Sequence, residues 1–334
     1  MSRYAADHID PQGPQDARPN ALQIIKDEGM EGKLVGKVAV ITGVSSGLGI
    51  ETTKALASTG ARLYLTARDL DKAKAALGDA FDNTFMELDH MDHTSLDSVR
   101  NAAAAILTKT SQISILVANA GVMAIPDCQL TDQGHELQFV TNHLAHFLLF
   151  ELLKPALLAG SSQIFQSRVV MVSSAGHRLH GIEPADNYHF QKGGYEAWVA
   201  YAQSKTANIY MANEIERRYG TRGLHATSLN PGFIATGLGK YLPEETIKGM
   251  LNNTTLMKAQ KSIEQGAATT VWAALSRELE GKGGLYLNDC AVADYGEYDE
   301  DPINGKSVDH TFSSEEEARL WKDSLEMVGL SEDR

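Results

Sequence analysis

Tyr201 and Lys205 stand four residues apart in Tyr201-Ala202-Gln203-Ser204-Lys205, a spacing that puts a phenol and an ammonium on one face of a helix. A free tyrosine, with a pKa of about 10, is a poor base near neutrality. A cation about 5 Å away, at an effective dielectric of about 20, favours the phenolate by on the order of 3 kcal/mol, or roughly two pKa units. That brings proton transfer by the phenol within reach at neutral pH. The spacing is common, and the chain repeats it at Tyr188 and Lys192. Gly193-Gly194 follow Lys192 and would break the helix that must align the second pair, so Tyr188 is read as a loop residue. Tyr201 instead opens an uninterrupted amphipathic stretch that runs to Tyr219.

A second group of residues could hold a phosphate. An apolar run leads straight into Thr42-Gly43-Val44-Ser45-Ser46-Gly47-Leu48-Gly49 and then into a helical pattern. Glycines in such a turn let the backbone approach a pyrophosphate, whose charge meets the N–H groups and positive dipole of the helix N-terminus. The next strand ends Thr66-Ala67-Arg68-Asp69. An acidic side chain at this strand end would hold a ribose 2′-hydroxyl. Here the place falls on Ala67, and Arg68 follows, a guanidinium suited to a 2′-phosphate. Arg68 could equally be a surface residue paired with Asp69 or Asp71. Asp89, at the third strand's end, could reach an adenine amino group or serve a turn. Asn119-Ala120-Gly121 end the fourth strand, and their small size leaves room for a ribose. Ser174 lies in Ser173-Ser174-Ala175-Gly176, at the C-terminal edge of a later strand that faces the ligand crevice.

These groups need a scaffold, and the chain supplies one. Short β-branched runs near 37–42, 61–66, 84–88, 113–118, 168–173, 223–229 and 284–288 alternate with helix-length segments near 48–59, 70–80, 94–109, 132–159, 196–219 and 259–279. Continuous apolar runs such as Val38-Ala39-Val40-Ile41 read as strands covered on both faces. The alternation predicts an α/β domain over 34–290: a Rossmann-type, doubly wound, mostly parallel seven-stranded sheet with helices on both faces. Residues 1–33 read as a flexible or surface-wrapping arm, residues 233–258 as a lid, and residues 291–334 as a C-terminal extension packed on the domain. That extension holds an acidic loop, Asp294 to Asp301, and a helix near 314–328.

Composition narrows the classes. The 334 residues carry a net charge of −13, which argues against a nucleic-acid partner. The richest apolar stretch, His143 to Ala159, is interrupted by Glu151 and Lys154 and reads as a buried helix rather than a membrane span. The N-terminus lacks a basic segment followed by an apolar one, so no signal peptide is expected. Cys128 and Cys290 are read as packing residues in a reducing, cytoplasmic setting. His143/His146, His177/His180 and Asp89-His90-Met91-Asp92-His93 lack a third ligand at a recognised spacing, so no metal is expected.

Together these residues resemble the short-chain dehydrogenase/reductase family, marked by TGxxxGxG, NAG, an Asn, a Ser, YxxxK and a PG turn in order. Here these are Thr42 to Gly49, Asn119-Ala120-Gly121, Asn142, Ser174, Tyr201/Lys205 and Pro231-Gly232. The likeness covers about residues 35–290. Family members commonly place Tyr about 30 residues before the PG turn, which matches Tyr201 and not Tyr188. Val140 to Phe147, Ser173 to Arg178, Tyr201 to Asn208 and the long gap from Ser174 to Tyr201 are similar to the retinol-dehydrogenase-like branch, which includes WW-domain oxidoreductases. Neither an N-terminal membrane anchor nor a WW domain is expected from this sequence, so substrate and location do not carry over.

Arg68 after Ala67 points to NADP(H) as the cofactor, and the resemblance implies a set of roles. Tyr201 acts as acid/base at a carbonyl oxygen that Ser174 orients. Lys205 lowers the phenol pKa and binds the nicotinamide ribose. Asn142 holds a relay water, and Thr236, beyond Pro231-Gly232, holds the carboxamide. The helix around 142–158 implies a possible homodimer. The leading reading is a carbonyl reductase for a bulky hydrophobic small molecule. A non-redox cyclase or isomerase and a cofactor-binding scaffold stay open. If Arg68 reads a 2′-phosphate, Arg68→Ala weakens NADPH binding about 10- to 100-fold and leaves NADH nearly unchanged. Fluorescence titration with both nucleotides checks this, and an unchanged ratio refutes it.

Overall fold

The computed structural model describes residues 2–299, 301 and 303–332, so Glu300 of the acidic loop lies outside the described residues. The strands are β1 (Val38–Thr42), β2 (Arg62–Ala67), β3 (Met86–His90), β4 (Ile115–Ala118), β5 (Ser167–Val172), β6 (Leu224–Asn230), β7 (Leu285–Asn288) and β8 (Ala291–Val292). They form one sheet in the order β3-β2-β1-β4-β5-β6-β7-β8. All neighbours run parallel except β7 and β8, which are antiparallel.

Seven strands were expected, and the eighth is a correction. β8 is a two-residue return after Asp289 and Cys290, whose φ values of 53° and 54° turn the chain back on β7. So short a strand carries no periodic signal in the sequence.

Helices α1 (Ala21–Asp27), α2 (Leu48–Ser58) and α3 (Leu70–Leu77) precede α4 (Leu96–Lys109) and the short α5 (Leu137–Phe139). A π turn, Val140–Leu144, joins α5 to α6 (Ala145–Gly160). The long α7 (Ala197–Tyr219) follows. The expected lid region is helical rather than open, holding α8 (Glu244–Asn252) and most of α9 (Thr254–Ala259). The helix expected over 259–279 is two shorter ones, α10 (Ile263–Gly266) and α11 (Ala268–Leu275), and α12 (Ser314–Met327) closes the chain.

One buried apolar cluster lies on the face covered by α4, α6, α7 and α12, and the other under α1, α2, α3 and α11. Burial on both sides is why β1, β4 and the body of β5 read as continuous apolar runs. The helical run Leu137–Gly160 is long and apolar enough to cross a membrane by composition, yet the fold buries 72% of its most hydrophobic window, as befits a core helix. Trp321 of α12 packs edge-on against Phe147 and Phe150, so the chain's own last helix covers part of α6. Cys290 packs inside, whereas Cys128 is exposed, contrary to the packing role expected of it.

Residues 2–33 lie against the body, with Tyr4, Arg18, Ile24 and Ile25 buried. The sheet's strand order reverses between β1 and β4. That reversal leaves a crevice at the carboxyl ends of these two strands.

At the far end of α6, a Cβ added to Gly160 would sit 2.1 Å from the Ile113 carbonyl oxygen, which neither backbone can relieve locally. Gly160→Ala is therefore expected to cost about 1–3 kcal/mol of stability, read by chemical denaturation. An unchanged midpoint would show that α6 and β4 are not seated this closely.

Candidate active site

Thr42, the last residue of β1, is fully buried. Its hydroxyl accepts from the backbone N–H groups of Asn119 (2.9 Å) and Ala120 (3.0 Å). The Asn119 amide donates back to the carbonyls of Thr42 (2.8 Å) and Gly43 (3.2 Å). The turn after β1 is thereby clamped to the end of β4. Glycine is obligatory at two points in this clamp. A Cβ on Gly43 (φ +73°) would lie 2.7 Å from Ala120 Cα, and one on Gly49 would lie 2.3 Å from the Gly43 carbonyl oxygen. Ser45, half-buried, Ser46, exposed, and Gly47 cross the top of the turn, and α2 begins at Leu48 with its N–H groups facing the crevice mouth. A cradle of backbone this close, ending in a helix N-terminus, fits a dinucleotide pyrophosphate.

At the end of β2, Arg68 is exposed. The carboxylate of Asp69 is occupied as the cap of α3, accepting from Lys72 N–H at 2.9 Å. Among the described residues Arg68 forms no ion pair with Asp69 or Asp71. Asp89 is engaged, both its oxygens accepting from Lys109 Nζ (2.9 and 3.1 Å), so an adenine contact would require this pair to open.

The other half of the crevice is carried by β5, the π turn and α7. Lys205 Nζ donates to the Val172 carbonyl at 3.0 Å and lies 5.6 Å from the centre of the Tyr201 ring. Ser174 hydrogen-bonds the Tyr201 phenol, and its hydroxyl also accepts from Gly176 N–H at 3.0 Å. Asn142 sits in the π turn, fully buried. Its amide donates to Ser204 Oγ (2.8 Å) and to the Val122 carbonyl (2.9 Å), and its Oδ1 accepts from Val122 N–H (2.8 Å). A Cβ on Gly121 would come within 3.1 Å of Asn142 Oδ1 and 3.5 Å of Lys205 Nζ, so the absent side chain leaves the ammonium its approach to the fourth strand. Asn119-Ala120-Gly121, Asn142, Ser174, Tyr201 and Lys205, though spread along the chain, thus meet at one place.

Electrostatics depart from the sequence expectation. The lysine was expected to lower the phenol pKa. Instead burial pushes Tyr201 up to about 12, with the Ser174 hydrogen bond acting in the opposite sense. The same burial brings Lys205 down to about 8. Removal from water disfavours both charged forms, and here it outweighs the attraction between them. Near neutrality Tyr201 is therefore a proton donor.

Pro231-Gly232, after β6, border the crevice from the other side. Asn230 Oδ1 accepts from Ala175 N–H (3.1 Å) and Gly232 N–H (3.2 Å), tying the loop after Ser174 to this turn. Gly232 (φ +100°) packs on the Lys261 side chain. Thr236 caps the turn that follows, its hydroxyl accepting from Leu238 N–H at 3.3 Å. The Thr236 methyl would stand 3.5 Å from a Cβ on Gly47, so the start of the lid region lies on the glycine-rich turn.

Three contributors escape a sequence reading. His146 Nδ1 lies 2.9 Å from the Asn142 carbonyl, an acceptor only, so this nitrogen carries the proton and Nε2 accepts from Thr42 Oγ1 at 2.8 Å. Asn230 and Lys261 are the others. Of the three only Asn230 ends a strand, a place that periodicity treats as a boundary, while His146 lies within α6 and Lys261 after α9. Other histidines have structural partners. His143 bonds Ser324, His177 bonds the Ser174 carbonyl, and His180 pairs with Glu183. Tyr188 is in a turn and buried, its hydroxyl donating to Asp323 at 2.7 Å. Its spacing partner Lys192 pairs with Asp186. Among the described residues no three His, Cys, Asp or Glu side chains are grouped to hold a metal ion.

Comparison with known proteins agrees with this geometry. Residues 37–247 match the family model described as short chain dehydrogenase. A short-chain dehydrogenase/reductase, prx1, of Penicillium roqueforti is 47% identical over 99% of this chain and 96% of its own. Oxidoreductase calI of Penicillium decumbens is 42% identical over 99% and 98%. The WW domain-containing oxidoreductase of Gallus gallus is 36% identical over 82% of this chain and 66% of its own. Among solved structures, an uncharacterized protein from Mycobacterium paratuberculosis superposes with a TM-score of 0.67 at 28% identity, covering 90% of this chain and 96% of that one. The Pseudomonas aeruginosa RhlG/NADP complex shares the fold, with a TM-score of 0.59 at 20% identity over 78% and 96%. A glycine cradle on β1, a Ser–Tyr–Lys cluster at the strand ends and these relatives agree: the chain belongs to the short-chain dehydrogenase/reductase family of nicotinamide-dependent oxidoreductases.

Proposed function

We propose that the protein is an NADP(H)-dependent carbonyl reductase acting on a bulky hydrophobic ketone or aldehyde. The observation that carries this reading is Tyr201, buried, hydrogen-bonded by Ser174 and held in its neutral, proton-donating form beside Lys205. A reductase needs a proton donor at the carbonyl oxygen, and a phenol with a pKa near 12 is protonated throughout the neutral range.

In this reading the cradle of Gly43, Gly47 and Gly49 holds the pyrophosphate on the N-terminus of α2. The exposed guanidinium of Arg68 pairs with the 2′-phosphate, and the RhlG/NADP complex supports an NADP cofactor on this fold. Lys205 and Asn119-Ala120-Gly121 lie where the nicotinamide ribose would rest, and Pro231-Gly232 with Thr236 face its carboxamide. NADPH so bound supplies the hydride. Ser174 orients the carbonyl oxygen, Tyr201 gives it a proton, and Lys205 favours the resulting phenolate. Asn142 fixes the π turn that presents this cluster, with a relay water as its further role. A hydrophobic substrate is supported by the exposed Trp198, whose ring stands edge-on to Tyr201 at 5.9 Å, and by Leu238, Ile247 and Leu251, exposed in the lid region.

Two measurements test the reading. Following NADPH absorbance with a panel of bulky ketones and aldehydes, Tyr201→Phe should lower kcat about 100- to 10,000-fold. Equal rates in variant and wild type would sink the role of Tyr201, no turnover in the wild type would favour a scaffold, and product formed without NADPH consumption would favour an isomerase. The pH dependence has a definite sign. Reduction needs neutral Tyr201 and cationic Lys205, so its kcat/KM holds below about pH 8 and falls above it as Lys205 loses its proton. Oxidation of the alcohol needs the phenolate and rises with pH over the same range. A reduction rate that climbs from pH 7 to 9 would contradict this assignment.

A further inference from the structure

We propose that Arg18, on the N-terminal arm, is a positioning residue that fixes the root of the lid and so sets how the lid closes over the substrate. The inference rests on the reading of residues 233–258 as that lid. Arg18 is an arginine outside the nucleotide and proton-transfer groups, and it is 5% exposed. Its fork reaches into the last turn of α9. Nη1 donates to the Ala259 carbonyl (2.8 Å) and Nη2 to the Gln260 carbonyl (2.6 Å), while Nη2 also holds the Gly13 carbonyl (3.0 Å) of its own segment. Asp16 steadies the guanidinium through Nε at 2.8 Å.

Carbonyls at a helix C-terminus have no partner within the helix, and a planar guanidinium can satisfy several at once. The same stretch of arm makes further bonds to this place. Gly13 N–H donates to the Lys258 carbonyl (2.8 Å), and the Gln265 amide donates to Asp16 Oδ1 and the Arg18 carbonyl (3.0 Å each). The arm therefore grips residues 258–265, where the lid's second strand of chain returns to the body.

From there the constraint reaches the crevice by a short path. Lys261 N–H donates to the Phe233 carbonyl (2.8 Å), and Ile234 and Lys261 form an isolated parallel bridge, so the two ends of the lid meet. Lys261 Nζ then donates to the Pro231 carbonyl (3.2 Å) and to Asp289 (2.6 Å), which His8 of the arm also contacts at 3.3 Å. A Cβ on Gly266 would strike both Ile234 and Leu48 at 2.7 Å, so this root is wedged against the glycine-rich turn. The lid beyond it is lightly held, since α8 buries no residue at all. A segment with few buried contacts takes its position from its anchors, and Arg18 and Lys261 are buried charges within that anchor, Arg18 being the one contributed by the arm.

The test uses the full chain, with Arg18→Ala and Arg18→Lys, and reads amide hydrogen exchange and steady-state kinetics. In Arg18→Ala, exchange over residues 237–256 should quicken about tenfold or more while β1, β4, β5 and β6 keep their protection. With a bulky ketone, KM should rise about 5- to 20-fold and kcat change less than about twofold, because the proton-transfer cluster is untouched. Arg18→Lys should fall between the two, since an ammonium replaces one arm of the fork and not the other. Unchanged exchange over 237–256 would overturn the proposal. So would equal loss of protection across the sheet, which would mark Arg18 as a general stabiliser, or kcat falling with KM constant. Exchange is read without substrate. A wild-type protein that reduces no ketone would therefore refute the reductase reading, while the lid's exchange still decides the role of Arg18.

Discussion

The junction between the ends of β1 and β4 carries the site, and one hydroxyl holds it. Thr42 Oγ1 accepts two backbone N–H groups from Asn119 and Ala120 and donates its own proton to His146. The imidazole passes the constraint on, because its Nδ1 proton goes to the Asn142 carbonyl. Burial holds His146 neutral, which is the state this one-donor, one-acceptor role requires. A single buried residue thus fixes the nucleotide turn, the end of the fourth strand and the π turn together. The glycines that follow are consequences of that closeness, since Gly43 and Gly49 lie where any side chain would meet backbone. A π turn widens a helix by one residue, and here that extra residue lets Asn142 face Val122 and Ser204 instead of following the helical face.

Burial also sets the chemistry. A lysine beside a tyrosine is usually discussed as an attraction that stabilises phenolate, and that holds when both charged forms keep their solvation. In this protein both groups are enclosed, and the cost of removing charge from water outweighs their mutual attraction. Tyr201 is consequently an acid near neutrality, and Lys205 titrates close to the physiological range.

Both termini fasten to segments that border the crevice. On one side Arg18 holds the carbonyls of Ala259 and Gln260 at the end of α9. On the other Arg178, four residues after Ser174, donates to Asp299 Oδ1 (2.9 Å), to the Asp301 carbonyl (3.2 Å) and to the Asn304 carbonyl. His310 reinforces this second contact by donating to the His177 carbonyl at 2.8 Å. The loop after Ser174 is braced by the C-terminal segment, just as residues 258–265 are braced by the N-terminal one. Two arginines serve because each must satisfy several carbonyls at once, which a planar fork does with one side chain.

What the sequence by itself determined was the order of elements and the residues that meet. Apolar runs of strand length, such as Val38 to Ile41, alternate with helical patterns, and that alternation admits few topologies. The glycine turn, Asn119-Ala120-Gly121 and Ser174 were legible from their places at strand ends, the Tyr201/Lys205 pair from its spacing, and Asn142 from the family resemblance. The choice of Tyr201 over Tyr188 was legible too, since two glycines end any helix after Lys192. Other features depended on contacts between residues far apart in the chain. The two-residue β8 has no period, and the link from Thr42 through His146 to Asn142 spans about a hundred positions. The grip of Arg18 on Ala259 and Gln260 is longer still. The rise in the Tyr201 pKa was hidden for the same reason: spacing gives the distance between two charges, but only the packed structure gives the water that surrounds them.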